Sequence, residues 1–161
     1  MALIIEDGSQ VVDANSYVTD AEYTAYATLK GLTVGANAIK REVELLRAMD
    51  YLQGLEQSFK GTRVSSSQSV SFPRYNVSLY GYLLASDKIP KELKNGQFEA
   101  AAYSHTGTLT PNETIKNVSK EKLGDLEVEY FEGGQSSRVI VKRANVYLQP
   151  LLNSGDALVR T

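Results

Sequence analysis

The spacing of apolar positions changes character along this chain, and the changes mark its elements. Leu3-Ile4-Ile5 is a short apolar run that stops at Asp7-Gly8, a turn pair. Thr19 followed by Glu22 forms a capping box, with Val18 and Tyr23 at the spacing of a hydrophobic staple. These signals predict a first helix from about Asp20 to Lys30, ended by Gly31, with Ala21, Ala25 and Leu29 as a small-residue packing face. A second helix is predicted over Ala38 to Gln57. Its apolar stripe is Ile39, Val43 and Leu46 in the first half and Leu45, Ala48, Met49, Leu52 and Leu55 in the second. Lys40–Glu44 and Glu44–Arg47 read as surface ion pairs on that helix.

The pattern then dissolves over residues 58–88, a loop far longer than the usual connection within a domain. Pro90 opens a third helix whose inner side is Leu93, Gln97, Ala100, Ala101 and Ser104, ended by Gly107. Beyond Pro111 the period becomes two. Val118, Lys120 and Lys122 alternate before Gly124-Asp125, and Leu126, Val128 and Tyr130 after it, which predicts a β-hairpin near 115–131 with Glu127 and Glu129 opposite the lysines. Val139-Ile140-Val141 reads as a short extended segment. Ala144 to Leu152 reads as a last short helix, and residues 153–161 as a mobile or partner-docked tail. The expected fold is mainly α (α+β): a small helical bundle with a long loop at 58–88 and a hairpin before a short C-terminal helix, all in one domain, 1–161.

Composition narrows the function more by exclusion than by suggestion. The chain has 161 residues, a formal charge of −2 and no cysteine, so disulfides, thiolate nucleophiles and cysteine zinc sites are excluded. No apolar run is long enough to span a membrane, and the first residues lack the basic and apolar regions of a signal peptide. His105 is the single histidine and falls at a predicted helix C-terminus, where the helix dipole favours it without any catalytic role. Asp7-Gly8 and Asp13 read as a turn rather than a calcium site, and Gly133-Gly134 opens no helix that would cradle phosphate. The expectation is a protein with no catalytic residue, metal or cofactor.

One stretch has a composition that suits binding. Between Lys60 and Lys94, six basic residues (Lys60, Arg63, Arg74, Lys88, Lys91, Lys94) face two acids (Asp87, Glu92), a local charge of +4 interleaved with Phe72, Tyr75, Tyr80 and Tyr82. Such a mixture binds single-stranded nucleic acid by neutralising phosphates and stacking bases. It is also the composition of protein-interface hot spots. Tryptophan is absent and no oligonucleotide-binding barrel is readable, which favours the interface. The interface candidates are Arg63, Phe72, Pro73, Arg74, Tyr75, Tyr80 and Tyr82, with Leu158 and Arg160 in the tail. Arg74 suits either an anchor on a neighbouring subunit or an internal ion pair that pins the loop. Tyr17, Tyr23, Tyr26 and Tyr51 are expected at the rim of the core.

A set of landmarks recurs in a telling order: Glu6-Asp7-Gly8, Asp13-Ala14-Asn15-Ser16-Tyr17-Val18, Arg47-Ala48-Met49-Asp50-Tyr51-Leu52, Phe72-Pro73-Arg74, Ile89-Pro90-Lys91-Glu92-Leu93-Lys94 and Tyr147-Leu148-Gln149-Pro150-Leu151-Leu152. In order and spacing they resemble the head-completion or neck adaptors (head–tail connectors) of tailed bacteriophages, often labelled DnaT-like single-stranded-DNA-binding proteins. Phe72 stands where that family usually has Trp. The resemblance implies a homo-oligomeric ring, roughly twelve-fold, in which symmetry multiplies a modest interface. The ring would sit beneath the portal protein, join the capsid to a downstream neck or tail protein, and surround genomic DNA held weakly and non-specifically in its lumen. It implies a virion protein of the neck, assembled in the host cytoplasm, with no membrane partner. The alternative is a DnaT-like single-stranded-DNA-binding protein.

Overall fold

A computed structural model describes residues 2–109, 120–123, 126–129 and 141–153. Its first helix, α1 (Asp20–Lys30), begins where the capping box predicts. The Thr19 hydroxyl accepts the Glu22 N–H at 3.1 Å, and the Glu22 carboxylate accepts the Thr19 N–H at 2.7 Å, so two orphan donors are satisfied reciprocally. Gly31 closes the helix in the left-handed region at φ 63°. Helix α2 (Ala38–Gly54), capped by Asn37, is shorter than the sequence suggested and gives way to a 3₁₀ turn at Glu56–Ser58. Helix α3 (Lys91–Thr106) follows Pro90, which sits just outside it as the N-cap. Helix α4 (Lys142–Leu148) runs into a 3₁₀ turn at Gln149–Leu151. The architecture is mainly helical with small antiparallel hairpins, as the period pattern implied.

Helix α3 is the centre of the core. Leu93, Gln97, Ala100, Ala101 and Ser104 are all buried on it, between α2 on one side and α4 on the other. Gly96 permits the α4 contact: a Cβ there would lie 2.5 Å from Leu148 Cδ2. Elsewhere the helix faces differ from those expected. On α1 the inward residues are Tyr23 and Ala27, while Ala21, Ala25 and Leu29 point to solvent. The large Tyr23 decides the rotation, because its ring stacks on Phe98 and its hydroxyl reaches Glu44. On α2, Ile39 and Val43 are exposed and the buried face is Glu44, Leu45, Ala48, Met49, Tyr51 and Leu52. Glu44 thus makes no surface pair with Lys40 or Arg47. It is buried, accepting the Tyr23 hydroxyl at 2.9 Å and the Gly35 N–H at 3.2 Å, with His105 Nδ1 at 2.7 Å. Tyr17, Tyr23 and Tyr51 lie in the core itself rather than at its rim, and Tyr26 is half-buried.

The stretch 58–88 is built from short pieces rather than open loop. Strand β1 (Thr62–Arg63) pairs antiparallel with β2 (Arg74–Tyr75), and β3 (Ser78–Leu79) with β4 (Tyr82–Leu83). Two-residue strands carry too few positions to show a period of two, so the pattern could not announce them. The N-terminal run also gains a partner, through a parallel bridge of Ile5 with Ser16.

The chain divides into two compact units, Met1–Leu109 with Ile140–Thr161, and Thr110–Val139. In the second, β5 (Lys120–Leu123) pairs antiparallel with β6 (Leu126–Glu129). The register sets Lys120 against Glu129 and Lys122 against Glu127, the cross-strand order that the alternation predicted. The turn at Gly124-Asp125, the segment at Val139-Ile140 and the tail positions Leu158 and Arg160 lie outside the described residues.

Candidate functional site

The candidates between Lys60 and Lys94 separate into an inward set and an outward set. Phe72 is fully buried, edge-on to Phe59 at 5.2 Å between ring centroids, and its N–H donates to the Tyr17 hydroxyl at 3.0 Å. Pro73 is buried beside it. Arg74 is turned inward too, and the second of its two readings, an internal pin, describes its geometry. Its guanidinium donates to three backbone carbonyls, Lys60 at 2.9 Å, Gly61 at 2.8 Å and Ser71 at 3.3 Å. These bonds hold the two ends of the β1–β2 hairpin together.

Between Arg74 and Arg63 lies Glu56, which the sequence reading did not single out. Arg63 grips both carboxylate oxygens, Nη2 at 2.6 Å from Oε2, and Arg74 Nη1 stands 3.7 Å from Oε1. This bidentate grip by Arg63 holds the Glu56 carboxyl below its ordinary value of 4.5 despite partial burial. Burial pushes the Arg74 guanidinium down, opposed by Glu56. A carboxyl whose folded value is depressed stabilises the fold above its unfolded value and loses that contribution as pH falls through the folded one. Stability measured by urea titration is therefore expected to drop as pH is lowered below about 4.5. The drop should be smaller in Glu56→Gln, and an identical pH profile for the variant would contradict the assignment.

The remaining basic residues are also engaged. Lys60 Nζ donates to the Pro150 carbonyl at 2.8 Å, Lys94 lies 3.6 Å from Glu22, and Lys88 lies 3.9 Å from the neighbouring Asp87. Lys91 alone of the six has no such partner among the described residues. The apparent +4 stretch is therefore halved by two acids the linear count left out, Glu56 and Glu22.

The outward set is different. Tyr75, Tyr80, Tyr82 and Leu83 are 47%, 69%, 80% and 73% exposed, a cluster of large apolar side chains on the two hairpins. Tyr80 and Gly81 form the β3–β4 turn, both with positive φ (53° and 86°). A bulky residue in the left-handed region is an outlier, since Asn or Gly fits there with less strain.

Two buried polar networks account for landmarks whose chemistry the sequence left open. The Glu6 carboxylate, fully buried, accepts the N–H groups of Gly8, Gln10 and Val11 at 2.8 to 2.9 Å. Gln97 accepts the Tyr17 N–H at 3.0 Å and donates to Ser16 Oγ and the Leu45 carbonyl. The Glu44–His105 pair resembles part of a catalytic arrangement, but the Ser104 hydroxyl beside it donates to the Ala101 carbonyl at 2.8 Å. The pair binds α2 to the end of α3. Its only sequence signal was a lone acid, Glu44, next to Leu45 in an apolar stripe. Among the described residues no group of three histidines or carboxylates is placed to hold a metal, and no helix is long and apolar enough to cross a membrane.

Compared with known families, residues 1–161 match the model of the family described as "Putative DnaT-like ssDNA binding protein". No curated protein and no solved structure matches the chain. The family description names single-stranded DNA, the alternative expectation, and does not mention a virion neck. With the match spanning the whole length, the chain belongs to the DnaT-like ssDNA-binding protein family.

Proposed function

We propose that the chain is a non-enzymatic docking subunit: a head-completion adaptor that forms a ring under a phage portal and carries the next neck or tail protein. The observation that supports docking on protein is the separation of charge from aromatics. Arg63 and Arg74 are tied to Glu56 and to backbone carbonyls, while Tyr75, Tyr80, Tyr82 and Leu83 stand in solvent. Exposed tyrosines presented on a scaffold whose two arginines are tied inward have the composition of an interface anchor. Single-strand binding needs cations beside the stacking rings, because the phosphates supply most of the affinity. The virion setting rests on the landmark resemblance.

A second reading, single-stranded-DNA binding, is favoured by the family's description and by the same three tyrosines as base-stacking platforms. A fluorescence anisotropy titration of labelled oligothymidylate separates the two. Docking predicts at most weak, non-specific binding at low salt that Tyr82→Ser leaves unchanged. Micromolar affinity with a steep salt dependence, lost in Tyr82→Ser, would give the function to DNA. The neck assignment is tested by electron cryomicroscopy of virions carrying this protein, in which its fold should occupy density between portal and tail.

The turn residue allows a further check. Tyr80→Asn replaces a strained side chain by one suited to an Asn-Gly turn, and is expected to raise stability by about 1 kcal/mol. The same variant should weaken partner binding. A gain in thermal midpoint coupled to a loss of binding is the signature of a residue kept for contact rather than for folding.

A further inference from the structure

Three glutamates are buried among the described residues, and one of them is short of partners. Glu6 accepts three N–H groups, and Glu44 meets Tyr23, Gly35 and His105. Glu99, on α3 and 6% exposed, accepts only the Tyr26 hydroxyl, at 2.8 Å on Oε1, with the Tyr147 hydroxyl 3.5 Å behind it. Its second oxygen, Oε2, has no hydrogen-bond partner among the described residues, and Glu99 makes no ion pair there. Oε2 is not sealed in protein, and Glu99 lines a cavity of about 500 Å³. A carboxylate accepts up to about four hydrogen bonds, and a buried charge is normally paired.

We infer that this cavity is a binding site separate from the tyrosine hairpins, and that it takes a lysine or arginine side chain from an acidic segment of a partner protein. Leu32, Ala102, Tyr103 and Val141 give it apolar walls that suit the methylene stem of such a side chain. The cationic head completes the missing hydrogen bond at Oε2, and a charge-assisted bond is strongest where water is excluded. The volume lies within the roughly 300–1,000 Å³ of ligand pockets, so residues flanking the basic one enter as well. Lys142 and Arg143 also line the cavity, exposed and without an acidic partner among the described residues. They oppose a bare cation and favour one carried beside acids, so that each lining charge meets its opposite. Lys30, a further cation nearby, stands over the Tyr26 ring, 5.8 Å from its centroid. The site lies at the start of α4, whereas the hairpins adjoin its far end, where Lys60 bridges the Ser78 and Pro150 carbonyls.

The probe is a capped peptide with lysine at its centre, leucine on either side and glutamate at both ends. Titrated into the isotope-labelled protein, it should shift the amide resonances of Thr33, Ala102, Tyr103 and Thr106 and saturate below roughly 5 mM. Replacing the peptide's lysine by norleucine keeps the stem and removes the charge, and should weaken binding about tenfold. Replacing its glutamates by lysine should weaken binding about threefold at low salt, and less at high salt. Glu99→Gln should bind the lysine and norleucine peptides alike, and a variant that still discriminates between them would remove Glu99 from the contact and sink the inference. The comparison of peptides on the unmodified protein carries the test even where that variant folds poorly. Equal affinity of the two peptides there would overturn the inference and leave a plain apolar hollow. No shift with any peptide, the result for a cavity filled by the chain's own residues, would overturn it too. Tyr82→Ser should leave these shifts unchanged, so this site and the hairpins stand or fall separately.

Discussion

Phe72→Ala is expected to destabilise the protein by about 4 kcal/mol, the range for emptying an aromatic site in a packed core. The ring is fully buried, meets Phe59 edge-on, and lies 5.9 Å from the Arg74 guanidinium. Its removal takes away the transfer free energy of the ring and leaves a cavity against Phe59 that the pinned hairpin cannot collapse. Guanidinium titration should show the midpoint falling at nearly constant slope, and Phe72→Leu should recover more than half of the loss. An interface residue behaves in the opposite way, with stability unchanged and association weakened. If Phe72→Ala unfolded at the wild-type midpoint, the placement of the ring in the core would be wrong, and with it the inward assignment of Pro73 and Arg74.

Glu6→Ala should be nearly as damaging, at about 3 kcal/mol or more, by a different mechanism. Three backbone donors, Gly8, Gln10 and Val11, converge on one buried carboxylate. Hydrogen bonds to a charged acceptor are worth more than neutral ones, and deleting the acceptor leaves the donors without partners. The loop they shape is already strained, with Gln10 at φ 63° and Asp13 at φ 57°. It also packs closely: a Cβ at Gly8 would lie 2.0 Å from the Asp87 carbonyl oxygen, on the approach to α3. Loss of the carboxylate should therefore free that approach as well. Amide exchange at Gly8, Gln10 and Val11 should accelerate far more than exchange in α3, and Glu6→Gln, which retains one acceptor oxygen, should be intermediate. Uniform acceleration across the chain would indicate global rather than local loss.

Both expectations bear on how the landmark residues work. Glu6, Ser16, Tyr17, Phe72 and Arg74 lie in one connected set of buried contacts. Glu6 accepts from its own loop and its N–H donates to the Ser16 carbonyl. Tyr17 binds Gln97 through its N–H and Phe72 through its hydroxyl, and Arg74 closes the hairpin that carries Phe72. The resemblance was therefore carried by residues that position the hairpins. The residues presented outward, Tyr80, Tyr82 and Leu83, lie in the stretch where periodicity was silent.

What the sequence determined by itself was local. The Thr19 box, Gly31, the inner face of α3 and the Lys-Glu register of the β5–β6 hairpin were all readable, because caps and periodic stripes act between residues a few positions apart. Tertiary structure decided the rest. It turned Ala21, Ala25 and Leu29 to solvent, because one tyrosine ring on the same helix had a better partner in Phe98. It carried Glu56 to Arg63 and Arg74, and Glu22 to Lys94, and so halved a charge that the linear count had put at +4. Packing and Coulomb energy depend on separation in space, and a chain of 161 residues fixes that separation only once its helices have met.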